Sequence, residues 1–158
     1  GDCRTYRNPL AVWGKMHDFD MLERISTALT NRFSAINRVC LLVMPDILKN
    51  IKILPATLTA KRIDLLHDLD DIVMNFIKKQ GIERDIWQFP TILLPLMVNG
   101  VKREAVMLRP VCSEEAMTAN FYKMKFDLLK KLTGCLKPKV SAVLYDITNK
   151  PPGTIEWE

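Results

Sequence analysis

The stretch Ala60–Lys79 constrains the fold most, because it can hardly be anything but one long amphipathic helix. Leu65, Leu66, Leu69, Ile72, Val73 and Phe76 recur at helical spacing, while Asp64, Asp68 and Asp71 occupy the other side. Lys78 and Lys79 suit the negative end of the helix, and Gly81 supplies a residue that can close it. An apolar stripe of this length must be covered by another layer of structure, so the chain needs a sheet or further helices. The stripe is core and carries no chemistry.

The flanking sequence provides those layers. Thr5–Trp13 reads as a strand interrupted by Pro9, which suits a sheet edge. Asp20-Met-Leu-Glu23 has the form of a capping box. Behind it, Leu22, Ile25, Leu29 and Phe33 give an amphipathic helix, followed by a strand from Arg38 to Val43. Thr91–Val98 and Glu104–Leu108 read as strands joined through Asn99-Gly100, a strong hairpin signal. A short helix is expected from Ser113 through Glu114 and Glu115. Another is expected over Phe126–Leu136, and a last strand over Val140–Ile147. Phe126–Ile147 can be laid on Leu22–Val43 without gaps, with both residues apolar at eight of 22 positions against about five by chance. The shared order of helix, turn and strand is the stronger part of that signal. The expected fold is α+β, a largely antiparallel sheet packed with helices, with two pseudo-duplicated helix–strand units. The chain is taken as one domain over 1–158, with a subdivision near 1–100 and 101–158.

Composition excludes several classes. Of the 158 residues, 48% are hydrophobic and 26% charged, the balance of an ordinary globular domain rather than a disordered tail. No run approaches the roughly 18 apolar residues needed to cross a membrane as a helix. The net charge of +5 is scattered, without a basic run or an aromatic-interleaved stripe, which argues against nucleic acid as partner. Cys3, Cys40, Cys112 and Cys135 show no paired spacing and no histidine at zinc distance, so no metal site is expected. Thiols without a disulfide framework suggest the cytoplasm. The opening Gly1-Asp2-Cys3-Arg4 reads as the middle of a longer polypeptide.

No nucleophile elbow, phosphate loop, dinucleotide fingerprint or zinc-protease motif occurs, and Asp70-Asp71 and Glu114-Glu115 point about 100° apart on a helix. No complete active site is present, and no residue is assigned as catalytic. The segment Asp146–Glu158 differs in kind. Pro151 and Pro152 fix the backbone after Lys150, and Gly153 permits a close approach that a side chain would block. A lysine on such a turn, followed by Gly153-Thr154, suits a phosphate; a tail simply packed across the domain is the plain alternative.

Tyr145-Asp-Ile-Thr-Asn-Lys-Pro-Pro-Gly-Thr-Ile-Glu-Trp-Glu158 resembles, almost letter for letter, the end of glutamine-hydrolysing GMP synthases. Gly1-Asp-Cys-Arg-Thr-Tyr6 resembles the start of their C-terminal domain. Asn37-Arg38-Val39, Trp87-Gln88-Phe89-Pro90, Met107-Leu108-Arg109 and Met117-Thr118 resemble landmarks between. The spacing resembles the longer, eukaryotic form. The resemblance implies a domain that binds the phosphate and ribose of xanthosine monophosphate (XMP) and forms a homodimer. It belongs to an enzyme that aminates XMP to GMP. The glutaminase domain and the ATP-pyrophosphatase domain, the latter using ATP and magnesium, are absent from this chain. The chain alone is therefore expected to be inactive and to carry no cofactor. By the same resemblance the XMP-binding residues are Lys150, Glu156, Thr154, Ile155 and Gln88, with Arg4 and Arg32 as further candidates. Arg109 matches a family arginine and is equally suited to structural pairing. A dimerisation module without ligand contacts and a small α+β RNA-binding domain are the alternatives.

Overall fold

Two β–α–β crossovers meet side by side in the middle of the sheet. In the computed structural model, which describes residues 7–15, 18–113 and 117–157, the elements run as follows. The first half contains β1 (Asn8–Val12), α1 (Phe19–Arg32), β2 (Ile36–Met44), β3 (Ile51–Ile53) and α2 (Ala60–Lys79). After a 3₁₀ turn at Glu83–Asp85 come β4 (Thr91–Leu94), β5 (Leu96–Val98), β6 (Ala105–Leu108), β7 (Val111–Cys112) and β8 (Asn120–Phe121). The last elements are α3 (Phe126–Leu136) and β9 (Val143–Asp146).

The main sheet has the order β1-β2-β9-β6-β4. β1 runs parallel to β2 through α1, and β6 runs parallel to β9 through α3. β2 and β9 are antiparallel neighbours, so the two helix–strand units lie head to tail. The remaining pairs, β4–β6, β3–β5 and β7–β8, are all antiparallel. The fold is thus α+β.

Strand alternation divides the core. Val39, Leu41, Val106, Leu108, Val143 and Tyr145 face one side, where Phe19 and Leu22 of α1, Leu69 and Val73 of α2, and Leu129 and Leu132 of α3 cover them. Cys40, Leu42, Met107 and Leu144 face the other, against Leu94, Val98 and Trp157. Strands apolar on both faces, such as β2 and β6, therefore sit at the centre and not at an edge. β1, with Pro9, takes the edge as expected, and Thr5 lies outside the described residues.

α2 and α3 occupy the ranges their periodicity predicts. Thr59 caps α2 by accepting the Arg62 N–H at 3.3 Å. Gly81, at φ +69°, closes it with paired bonds from Gly81 N–H to Lys78 O and from Ile82 N–H to Ile77 O.

Several expectations change. Asp18, not Asp20, caps α1: its carboxylate accepts the N–H groups of Asp20 and Met21 at 2.9 and 3.2 Å. Thr91–Val98 is two strands, because Pro95 has no N–H to continue a ladder; β4 stays with β6 while β5 turns away to pair with β3. Asn99-Gly100 does form a tight turn, both residues at positive φ (52° and 72°) with Val101 N–H donating to Val98 O, but it ends β5. The final strand starts at Val143 rather than Val140. The helix expected at Ser113 falls mainly on 114–116, outside the described residues.

Candidate functional site

β9 ends at Asp146, and the carboxylate of that residue organises everything after it. Asp146 is fully buried, as is Arg109, and Arg38 nearly so. Oδ2 of Asp146 takes Arg109 Nη1 at 2.8 Å, Arg38 Nη1 at 3.0 Å and the Trp157 indole N–H at 3.0 Å. Oδ1 accepts the Thr148 N–H at 2.9 Å. Two guanidiniums against one carboxylate leave a formal excess of one positive charge, and backbone carbonyls of the tail meet it. Arg109 Nε donates to Ile155 O at 2.9 Å, its Nη1 to Thr148 O at 3.2 Å, and its Nη2 to Thr154 O. Arg38 Nη2 donates to Thr154 Oγ1 at 2.7 Å and to Glu156 O, and the guanidinium lies over the Trp157 ring. Planar forks with several donors suit this multiple capture of oxygens. Burial lowers the Arg38 pKa, with Asp146 opposing, and burial pushes the Cys40 thiol well up.

The close approach allowed by Gly153 is to these guanidiniums. A Cβ there would sit 3.3 Å from Arg38 Nη1, 3.4 Å from Arg109 Nη2 and 3.4 Å from Asn149 O. Thr154 and Ile155 therefore give their carbonyls to the protein itself. Among the described residues their N–H groups meet no acceptor. Ile155 is buried, Thr154 partly so, and the Glu156 side chain is exposed. Arg109 takes the structural pairing of its two readings.

Lys150 is half-buried, and its backbone pairs in both directions with Ala119 beside β8, at 2.7 and 3.2 Å. Gln88 is exposed, and its backbone pairs with Val111 of β7. These bridges flank the β7–β8 ribbon on opposite edges, so Gln88 and Lys150 lie about three strand spacings, roughly 14 Å, apart. A cleft of ≈ 800 Å³ opens on the ribbon between Arg84, Trp87, Cys112, Thr118 and Asn120. Arg32 is exposed at the C-terminal end of α1, stacked on Phe33, and Arg4 lies outside the described residues. Thus Lys150, Thr154, Ile155 and Glu156 share one tail, Gln88 stands across the ribbon, and Arg32 is not brought to them.

Sequence reading used Arg38 only as a landmark and missed it and Asp146 as anchors. The available signal was an arginine leading an otherwise apolar strand, where a charge requires a buried partner. Among the described residues, no cluster of three His, Cys, Asp or Glu could hold a metal, and no helix is long and apolar enough to cross a membrane.

The family model for the GMP synthase C-terminal domain matches residues 75–157, more than half the chain and the whole of this tail region. The chain belongs to that family. A probable glutamine-hydrolysing GMP synthase of Leptospira interrogans is 43% identical over 164 residues, covering 100% of this chain and 27% of its own length. The GMP synthase of Leifsonia xyli is 34% identical across 89% of the chain and 31% of its own length. That of Rippkaea orientalis is 42% identical across 63% of the chain and 20% of its own length. Bacterial relatives thus match this chain over its whole length in one case and over parts of it in others. The chain spans about a quarter of the length of the Leptospira relative.

Proposed function

We propose that this chain is the nucleotide-holding part of a glutamine-hydrolysing GMP synthase, and that its tail binds XMP. Lys150 and the N–H groups of Thr154 and Ile155 take the phosphate, Glu156 accepts from the ribose hydroxyls, and Gln88 contacts the nucleotide from across the ribbon. The observation that carries this reading is the division of the tail's polar groups. Arg38 and Arg109 consume its carbonyls, while the Thr154 and Ile155 N–H groups have no acceptor among the described residues. Oriented N–H donors next to a lysine on a proline-fixed turn form an anion site.

The same reading places the glutaminase and the ATP-pyrophosphatase, with its ATP and magnesium, in the remainder of the parent polypeptide. It also makes GMP the product, the cytoplasm the location and a homodimer the working assembly. The isolated chain should bind XMP weakly, because part of the pocket belongs to the other domains.

The test is Lys150→Ala in the full-length enzyme. Loss of a charged hydrogen bond of about 1.5–3 kcal/mol raises the KM for XMP roughly 10- to 100-fold and leaves that for ATP unchanged. An unaltered XMP dependence removes Lys150 from the site and returns the tail to a packing role.

A further inference from the structure

The residue before Lys150 is held from an unexpected direction. Asn149 Nδ2 donates to Glu23 Oε1 of α1 at 2.6 Å, and Asn149 Oδ1 accepts the Phe121 N–H at 3.1 Å. A carboxylate on one side and an N–H on the other leave the amide a single orientation that satisfies both. Glu23 is itself fixed: Oε2 accepts from Lys123 Nζ at 2.7 Å, and the same ammonium donates to Asp20 Oδ1 at 2.7 Å. With the Lys150–Ala119 backbone pair, three segments (the first turns of α1, the Phe121–Lys123 stretch and the tail) converge one residue ahead of the lysine.

We propose that Glu23 is a positioning residue for substrate binding, acting through Asn149 to set where the Lys150 turn lies. The proposal rests on the reading that Lys150 meets the XMP phosphate. Two features separate positioning from simple stabilisation. The buried Arg38–Asp146–Arg109 cluster already fastens the tail from Asp146 onward, so Glu23 is not needed to keep it folded. The Glu23 side chain is 29% exposed and its ammonium partner 40% exposed, a setting in which ion pairs contribute little to global stability. What Glu23 does control is the rotation of the Asn149 amide and, through it, the backbone that presents Lys150. Small misplacements of a binding group carry large losses in the productive complex.

The experiment is steady-state kinetics on the full-length enzyme with Glu23→Ala, Asn149→Ala, the double variant, Glu23→Gln and Lys150→Ala. Glu23→Ala and Asn149→Ala should each raise the KM for XMP on the order of tenfold, with kcat and the KM for ATP little changed. The double variant should be no worse than either single change, because both break one connection. Glu23→Gln should recover most of the affinity, since its one amide oxygen can accept from Asn149 while Lys123 keeps Asp20 as its acceptor. An XMP KM unmoved by Glu23→Ala overturns the proposal, as does a lowered Tm and kcat at constant KM, or simple additivity in the double variant. Lys150→Ala separates the two levels. If it leaves the XMP KM unchanged, the underlying site reading fails; if it raises that KM while Glu23→Ala does not, only the positioning role fails.

Discussion

Replacing Asp146 by Asn probes what holds the tail in place. The substitution removes a charge with almost no change in volume, so no cavity confuses the result. Four donors converge on the two carboxylate oxygens: Arg38 Nη1, Arg109 Nη1 and Trp157 Nε1 on Oδ2, and the Thr148 N–H on Oδ1. An amide offers one oxygen. Turned towards the three donors, it sets its NH₂ against the Thr148 N–H; turned the other way, it faces two guanidiniums with a further donor. In either orientation two buried arginines lose the carboxylate between them. Breaking a buried pair in this way costs about 3–5 kcal/mol. For a chain of this size each kcal/mol lowers Tm by roughly 2–4 °C, so Asp146→Asn should melt on the order of 10 °C below the parent. Urea and thermal unfolding followed by circular dichroism at neutral pH give the number. Limited proteolysis should also cut within residues 147–157 sooner in the variant. A loss below about 1 kcal/mol would mean that the tail carbonyls alone satisfy both guanidiniums, and the anchoring role assigned to Asp146 would be wrong.

Gly153→Ala places a methyl group against Arg38 Nη1, Arg109 Nη2 and Asn149 O; it should cost about 1–3 kcal/mol in urea unfolding and weaken XMP binding by the full-length enzyme. Asp18→Ala should destabilise the chain by about 1 kcal/mol through loss of the α1 cap, a bond pattern that Asp20→Ala leaves intact. Paired chemical denaturation of these two variants identifies the cap, and the reverse ranking would restore Asp20. Hydrogen bonds from Lys123 and then Asn149 hold Glu23 below its ordinary 4.5, while those to Asp20 and Glu23 hold Lys123 above its ordinary 10.5. A depressed carboxylate stabilises fully above 4.5 and loses that contribution as pH falls through its folded value. A raised lysine stabilises fully below 10.5 and loses it as pH rises through its folded value. The contribution of this pair should therefore be flat between those limits, and Glu23→Gln should flatten the acid limb of urea midpoints measured from pH 5 to 3.

Where sequence and structure agree, a local signal carried enough information. The 60–79 stripe with Thr59 before it and Gly81 after it fixes α2 without reference to anything distant, and 126–136 does the same for α3. Agreement fails where pairing decides. Thr91–Val98 is a continuous apolar run, and only the competition between β6 and β3 for partners shows that Pro95 divides it. The ribbons β3–β5 and β7–β8 are two or three residues per strand, too short to imprint a period. At the cap, two aspartates two residues apart are equivalent by composition, and only the extended backbone of Asp18 distinguishes them. In the tail, composition identified Lys150 and Gly153 as special, yet the purpose of Gly153 depends on Arg38, more than a hundred residues earlier. No local reading connects those positions.

The place of β9 in the sheet bears on how the chain is synthesised. It is the last strand of its sheet in chain order, yet it lies between β2 and β6, both made long before. Until it arrives, those strands have open flanks rich in Val, Leu and Met, able to pair with each other wrongly or with a neighbouring nascent chain. The sheet closes only when its final strand inserts, and Asp146, at the end of that strand, then draws Arg38 and Arg109 together. Truncation a few residues before Asp146 would therefore remove the central seam rather than trim an end. Chains stalled at that point should be a substrate for chaperones until translation resumes.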